Sequence, residues 1–155
     1  MPTPGPASNP LDIARIESLI DDRFPQIHAG GRIMSVEGIG NRTARVRMRH
    51  HDRVIRPGGT VSGPAMFTLA DFSIYVAIIA TLGESGFDAV TTNLNINFLT
   101  KPEPRDMVSL VRLIRVGRRL AVGGGRGPDL FRWGRGHGRA GDRQLRAAEQ
   151  VISYR

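Results

Sequence analysis

The chain has 155 residues, of which 40% are hydrophobic and 23% are charged, and its formal net charge is +8. This length is enough for one domain with its own hydrophobic core. The absence of cysteine excludes disulfides, thiolate catalysis and cysteine-ligated zinc, and it favours a cytoplasmic location.

The N-terminal elements are predicted to be a flexible leader, a helix and a hairpin. Residues 1–9 lack the basic and apolar segments of a secretory signal and are interpreted as the leader. Residues 10–22 favour an amphipathic helix, because Asn9 can cap it and apolar residues recur at helical spacing. Residues 33–39 and 43–48 alternate between apolar and polar around a Gly- and Asn-containing turn, which predicts two antiparallel strands.

A single charged residue, Asp71, lies in the apolar run from Pro57 to Gly83. The run opens with a loop rich in glycine, serine and threonine, and Pro64 then suits the first turn of a helix. Asp71 therefore falls about two turns into a long apolar helix. Burying an unpaired carboxylate is costly, so this isolation indicates a function. The alternative is a structural carboxylate bonded to neighbouring backbone or hydroxyl groups.

The remaining periodic segments indicate strands. Residues 90–99 and 107–116 alternate between apolar and polar side chains. Residues 66–82 approach the length of a membrane span, but polar side chains interrupt them, which argues for a core helix. The order of elements predicts an α+β fold in which a mainly antiparallel sheet wraps around the long central helix.

Three segments in this order carry a family resemblance: SGPAMFTLAD (62–71), VTTNLNINFLTKP (90–102) and VGRRLAV (116–122). They resemble the hotdog-fold acyl-CoA thioesterases of the PaaI type. The resemblance implies a hotdog thioesterase domain over residues 10–123. It also implies a homodimer or homotetramer with active sites at the subunit boundary, and no metal or cofactor beyond the coenzyme A of the substrate.

The same resemblance implies catalytic roles for three residues. The carboxylate of the central helix, here Asp71, acts in that family as nucleophile or as general base toward the thioester carbonyl. A backbone N–H near the start of the helix, here that of Gly63, polarises the carbonyl oxygen, and a helix N-terminus suits this task because its donors are oriented. Thr91 matches a hydroxyl that orients water from the neighbouring subunit; the alternative is an ordinary strand threonine.

Two positions depart from the family pattern. Members commonly carry His-Gly-Gly where Ser62, Gly63 and Pro64 stand, and Asn where Arg56 stands. Ser62 can donate a hydrogen bond but does not titrate near neutrality, and Arg56 cannot accept a hydrogen bond. Ser62 is kept as a catalytic candidate, and the two replacements are expected to affect substrate orientation.

Five polar residues form the predicted substrate- and CoA-binding set. Arg118 and Arg119, together with Lys101, can neutralise the phosphates of coenzyme A through charge-assisted hydrogen bonds. Arg56 and Asn93 complete the set. The alternative for the cations is solvated surface charge.

The four histidines do not predict a metal site. His50 and His51 are adjacent, so they cannot share one face of an extended segment, and His28 and His137 are remote in sequence.

The strand periodicity stops near Gly123. Residues 124–155 hold seven arginines against three acidic residues, so half of the net charge lies there. One interpretation is an arginine- and glycine-rich tail that binds nucleic acid. The favoured hypothesis is a slipped reading frame near Gly123, with the last strands altered or missing. Residues 137–151, written with permitted codons and read one nucleotide later, give MVAQATGNYALPSR and a stop, which resembles the usual last strand of PaaI-type thioesterases.

The predicted function is hydrolysis of an aromatic or medium-chain acyl-CoA by the helix carboxylate and an oxyanion hole at the helix N-terminus. Neither nucleic acid nor a membrane is an expected partner. One alternative is a catalytically impaired hotdog protein that binds acyl-CoA, favoured by the missing His and Asn. Another is a nucleic-acid-binding module built on the basic C-terminus, whose oligonucleotide binding would be salt-dependent and lost on truncation after Gly123.

Overall fold

The long apolar helix predicted from the sequence forms the core of the fold. The computed structural model describes residues 11–98, 101–125, 131–133, 143–145 and 148–153. The central helix, α2, spans Gly63–Leu82, and most of its side chains from Leu69 to Ile79 are buried. The helix is long and apolar enough to cross a membrane, but more than half of its most apolar stretch is buried inside the fold, as in a core helix.

The described elements follow the predicted order except for two short strands in the segment before the central helix that was predicted to be a loop. The helices and strands are α1 (Ile13–Arg23), β1 (Met34–Gly40), β2 (Thr43–Met48), β3 (Ile55–Arg56), β4 (Thr60–Val61), α2, β5 (Val90–Ile96), β6 (Met107–Val116), β7 (Leu120–Gly125), β8 (Phe131–Trp133), β9 (Arg143–Leu145) and β10 (Ala148–Ser153). Short 3-10 helices span Pro25–His28, Asp52–Val54 and Gly83–Asp88.

The first helix begins later than the sequence pattern predicted. Asp12 caps α1, because its side chain accepts a hydrogen bond from the backbone N–H of Arg15 at 2.7 Å. The predicted cap, Asn9, lies outside the described residues. Aspartate at this position satisfies a first-turn donor as well as asparagine does, which is why composition alone did not fix the helix start.

Eight of the described strands form one antiparallel sheet. Its main path runs β1-β2-β6-β7-β10-β5, β8 pairs with β6 and β9, and β3 and β4 form a separate two-stranded ribbon. The helix α2 packs mainly against β2 and β6. The predicted α+β class, with an antiparallel sheet around a long central helix, is confirmed.

Parts of the arginine- and glycine-rich segment contribute to this sheet. Strand β10 pairs with β5 along one edge and with β7 along the other. Strand β5 is therefore connected to the rest of the sheet through β10. Residues 126–130, 134–142, 146–147 and 154–155, where much of the predicted atypical segment falls, lie outside the described residues.

A β-bulge in β1 creates the best-defined ion-pair cluster of the outer sheet face. Val36 pairs with Val46 and Gly38 with Arg45, so Glu37 is the extra residue. Its carboxylate accepts hydrogen bonds from Nε of Arg45, at 2.8 Å, and from Nε of Arg47. Partial burial raises the pKa of Glu37, but the hydrogen bonds from the two arginines outweigh it, and the net shift of the pKa is downward.

This shift predicts a pH-dependent effect of Glu37→Gln. A carboxyl whose pKa is lower in the folded chain stabilises the fold above its unfolded-state pKa, and this contribution is lost as the pH falls through the folded-state pKa. Glu37→Gln should therefore lower the denaturant midpoint at pH 7, and the difference from the parent should shrink toward about pH 3. The control is Glu103→Gln, which breaks a pair with Arg105 in which both side chains are about half exposed. Equal destabilisation by Glu37→Gln at both pH values would contradict the assignment.

Candidate active site

The start of α2 leaves one backbone donor unused. Ser62 has extended backbone angles and caps the helix, because its Oγ accepts a hydrogen bond from the N–H of Ala65 at 3.3 Å. Pro64 has no N–H, and the N–H of Met66 donates to the carbonyl of Ser62 at 3.1 Å. In the described part of the chain, no hydrogen bond engages the N–H of Gly63, so this group is available to polarise a carbonyl oxygen.

The side chain of Ser62 therefore contacts the backbone of α2 and does not face the position expected for the substrate. Its Oγ lone pair is directed at the helix backbone, while its carbonyl closes the first turn. Ser62 holds the neighbouring Gly63 in place, and we regard it as a positioning residue.

A cavity of about 280 Å³ lies at this end of α2. It unites three predicted site residues, Arg56, Gly63 and Lys101, with apolar side chains that the sequence analysis did not assign to the site. Those apolar side chains are Val61, Met66 and Phe98. Phe98 lies beside Gly63, where a Cβ atom would be 3.8 Å from its ring.

The sequence pattern predicted a strand over residues 90–99 that includes Phe98, but β5 ends at Ile96. Its ring instead contacts Phe67 edge-on, with centroids 6.1 Å apart. A strand pattern carries no information on where pairing stops, so only the tertiary structure could assign Phe98 to the cavity.

Among the residues that the structure describes, Asp71 lies on a face of α2 that the sheet leaves open. Pro64, Phe67 and Thr68 are exposed on this face, and Asp71 is half-buried. The sequence suggested a buried carboxylate, and in this chain that expectation is wrong. The reason is helical periodicity: residues 64, 67, 68 and 71 share a face that points away from β2 and β6.

Thr91 contacts the candidate catalytic carboxylate directly. Its Oγ1 donates a hydrogen bond to Oδ1 of Asp71 at 2.5 Å. The resemblance implied that this hydroxyl acts from a neighbouring subunit, whereas the structure shows it on Asp71 of its own chain. The hydrogen bond restrains the orientation of the carboxylate, which is the task of a positioning residue.

A β-bulge turns Thr91 toward the helix. Ile152 pairs with Thr91 and Val151 with Asn93, so Thr92 is the extra residue of β5. One extra residue between the two pairs reverses the alternation of the strand, and therefore Thr91 and Asn93 lie on opposite faces of β5. Asn93, predicted to bind substrate, consequently faces away from Asp71.

The two catalytic candidates of one chain are too far apart to share a substrate carbonyl. Asp71 is eight positions after Gly63 in the same helix, which places the two residues about 12 Å apart along the helix axis. A carbonyl group within hydrogen-bond reach of the Gly63 N–H does not reach the Asp71 carboxylate of the same helix. The candidate groups of one chain therefore fall into two separate sets, here called half-sites: a donor with a cationic cavity, and a carboxylate with its threonine.

The predicted CoA-binding arginines lie at the carboxylate end of the sheet. Arg118 and Arg119 are exposed in the turn between β6 and β7, which the hydrogen bond from Gly117 N to the Leu120 carbonyl closes at 2.9 Å. Ala121, next to this turn, and Thr91 both pair with Ile152. Two strand spacings separate them, or about 10 Å. The register thus places this turn on the same side of the sheet as Thr91, and neither arginine borders the cavity at Gly63.

The described residues contain no group of three or more metal-ligating side chains. His50 and His51 are exposed, and His28 Nε2 lies 3.4 Å from the Asp21 carboxylate. His137 lies outside the described residues.

Comparison with known proteins identifies the family. Residues 58–127 match the model of the thioesterase superfamily. A candidate thioesterase from Silicibacter sp. TM1040 is 32% identical, covers 93% of this chain and 91% of its own, and superposes with a TM-score of 0.70. The chain belongs to the thioesterase superfamily, and the predicted hotdog fold is confirmed.

More distant structures show the same fold. A thioesterase family protein from Silicibacter pomeroyi is 14% identical, with a TM-score of 0.72 over 92% of this chain and 97% of its own. A point mutant of the phenylacetic acid degradation protein PaaI from Thermus thermophilus is 17% identical, with a TM-score of 0.62 over 84% of this chain and 98% of its own. No curated protein sequence matches the chain.

Proposed function

We propose that the protein is an acyl-CoA thioesterase of the PaaI type. The observation that carries the proposal is the unused N–H of Gly63 at the start of α2, opening into a cavity, in a chain that also holds a threonine-oriented carboxylate on the same helix. The membership of the thioesterase superfamily supports this reading. Aromatic and medium-chain acyl groups remain the prediction from sequence.

The proposed reaction is hydrolysis of the thioester by water. The carbonyl oxygen accepts a hydrogen bond from Gly63, which stabilises the negative charge that develops on it. Asp71, oriented by Thr91, takes a proton from water while the water oxygen attacks the carbonyl carbon. The C–S bond then breaks, and the thiolate leaves and recovers the proton as free thiol. Direct attack by Asp71, with hydrolysis of the resulting anhydride, gives the same products.

We propose a homodimer as the smallest active unit, with a homotetramer built from it as the alternative assembly. The half-sites of one chain are about 12 Å apart, so a second copy must bring its Asp71 to the first copy's Gly63. The exposed face of α2 and the exposed side chains of Val90 and Phe98 support such an interface, because they leave apolar surface beside both half-sites.

The other partners follow from this chemistry. Arg118 and Arg119 are proposed to bind the phosphates of coenzyme A near the carboxylate half-site. Water, a carboxylate and an oriented N–H are sufficient for the reaction, so we propose that no metal or cofactor takes part. We also propose that neither nucleic acid nor a membrane is a partner. The proposed location is the cytoplasm.

The reading frame near Gly123 is part of the same proposal, because residues 137–151, written with permitted codons and read one nucleotide later, give a string that resembles the usual last strand of PaaI-type thioesterases. Sequencing the gene tests it. We expect codons that permit the string MVAQATGNYALPSR followed by a stop. Codons that do not permit that string would refute a frame change.

Two substitutions test the catalytic assignments. Gly63→Pro deletes the N–H but suits the first helical turn, and Ser62 already has the extended conformation that a following proline requires. It should lower kcat about 100- to 1,000-fold, and Asp71→Asn should lower it about 100- to 10,000-fold. Release of free thiol from an acyl-CoA panel provides the measurement.

The matched control is Gly63→Ala, which keeps the N–H and whose Cβ meets only an ordinary contact with Phe98. Gly63→Ala should retain most of the activity of the parent protein. Its melting temperature should equal that of Gly63→Pro. Equal activity of the proline and alanine variants would refute the oxyanion role. No thiol release by the parent from any acyl-CoA would leave an impaired acyl-CoA-binding protein as the better description.

Mixed dimers test whether the active site is shared between chains. Chains with Gly63→Pro and chains with Asp71→Asn are co-expressed with different tags, and the heterodimer is purified. If each site combines Gly63 of one chain with Asp71 of the other, one site is intact and the other carries both defects. We expect about half of the parent activity. No recovery above the two homodimeric variants would contradict the shared site.

A further inference from the structure

Two cations line the small cavity at Gly63 without a carboxylate beside them. Arg56 and Lys101 both border the cavity, and no described acidic residue lies within ion-pair distance of either. Glu103, close to Lys101 in sequence, pairs with Arg105 at 2.9 Å. Two like charges around one cavity repel each other, so an anion bound between them is favoured.

A hydrogen bond to the neighbouring backbone restrains the exposed guanidinium of Arg56 before any ligand binds. Its Nη1 donates a hydrogen bond to the carbonyl of Pro57 at 2.6 Å. Gly58 has a φ of +100°, and a Cβ there would lie 3.3 Å from the same Nη1. The glycine therefore leaves room for the guanidinium along the turn between β3 and β4, and less side-chain entropy is lost when Arg56 binds an anion.

The remaining lining of the cavity is mostly apolar, with Thr60 as a further polar side chain. Val61 and Met66 are 2% and 3% exposed, and the partly exposed ring of Phe98 lies beside Gly63. A volume of about 280 Å³ is at the small end of ligand sites. A cavity with this lining suits a short methylene chain that ends in an anionic group.

An anion in this cavity can belong to the acyl group or to coenzyme A. The thioester carbonyl must lie at Gly63, inside the same cavity, if the proposed function holds. The long pantetheine arm separates the thioester from the phosphates, so the phosphates of the same molecule lie far from a carbonyl bound at Gly63. A carboxylate at the far end of a short acyl chain lies close to that carbonyl.

We infer that the preferred substrate is the CoA monothioester of a short dicarboxylic acid, with Arg56 and Lys101 binding its free carboxylate. This inference rests on the proposed function for the position of the carbonyl. It also gives a reason for arginine where the family commonly has asparagine. It competes with the aromatic and medium-chain acyl groups predicted from sequence.

The test compares glutaryl-CoA with valeryl-CoA, which has the same carbon count but no carboxylate, and with hexanoyl-CoA and phenylacetyl-CoA. The kcat/KM of the full-length protein should be at least about tenfold higher for glutaryl-CoA, the size expected for a hydrogen-bonded charge pair. Arg56→Gln or Lys101→Gln should remove most of this preference, and Arg56→Lys should retain part of it. Arg112→Gln, an equal charge change on the outer sheet face, should leave the preference unchanged.

The same acyl groups on pantetheine locate the anion. If Arg56 binds the acyl carboxylate, the preference for glutaryl over valeryl persists without the phosphates. If Arg56→Gln weakens all CoA esters equally and no pantetheine ester, the cavity binds phosphate and the inference is overturned. A preference for hexanoyl-CoA or phenylacetyl-CoA overturns it as well.

A binding experiment distinguishes failure of this inference from failure of the proposed function. Affinities of Asp71→Asn for glutaryl-CoA and valeryl-CoA, measured by calorimetry, should differ at least about tenfold in the same direction. Tighter binding of glutaryl-CoA without hydrolysis by the parent would contradict the thioesterase proposal and support the carboxylate site. Hydrolysis of all esters without discrimination would support the thioesterase proposal and contradict the carboxylate site. Melting temperatures of all variants confirm that each one folds.

Discussion

The burial of α2 is the constraint on which the rest of the structure depends. A helix that is apolar on nearly every side needs a sheet that curves around it, and its polar side chains must find partners inside the helix. The hydroxyls of Ser73 and Thr81 do so by donating to the carbonyls four residues earlier, at 2.6 and 2.7 Å. These bonds allow a helix with several hydroxyls to lie in the core.

The groups proposed to act in catalysis lie where this burial stops. At the helix start, the Ser62 cap and the missing N–H of Pro64 account for the other first-turn donors, so the N–H of Gly63 remains. Two turns later, the sheet leaves one face of α2 uncovered, and Asp71 lies on it. The distance between these points is fixed by the helical rise, which no side-chain rearrangement changes. A shared active site between two copies is the simplest way to bring such half-sites together.

Local irregularities in the sheet orient the polar groups. The bulge at Glu37 directs a carboxylate toward two arginines, and the bulge at Thr92 turns Thr91 toward Asp71. In a regular strand Thr91 would share a face with Asn93. The family resemblance assigned Thr91 to the site, and Asn93 was predicted to bind substrate. The structure keeps only Thr91 near the carboxylate.

The sequence by itself determined the class of fold, the position of the central helix and the identity of its carboxylate and N-terminal donor. The helix and its isolated carboxylate follow from periodicity and from residues that favour a helix start, which act over a few residues, whereas the donor role of Gly63 was implied by the family resemblance. Only the tertiary structure decided that Asp71 is half-buried, that a bulge orients Thr91, and that Arg56, Phe98 and Lys101 meet at Gly63. Such contacts join segments far apart in the chain, and their geometry depends on packing and strand register, which local sequence patterns do not encode.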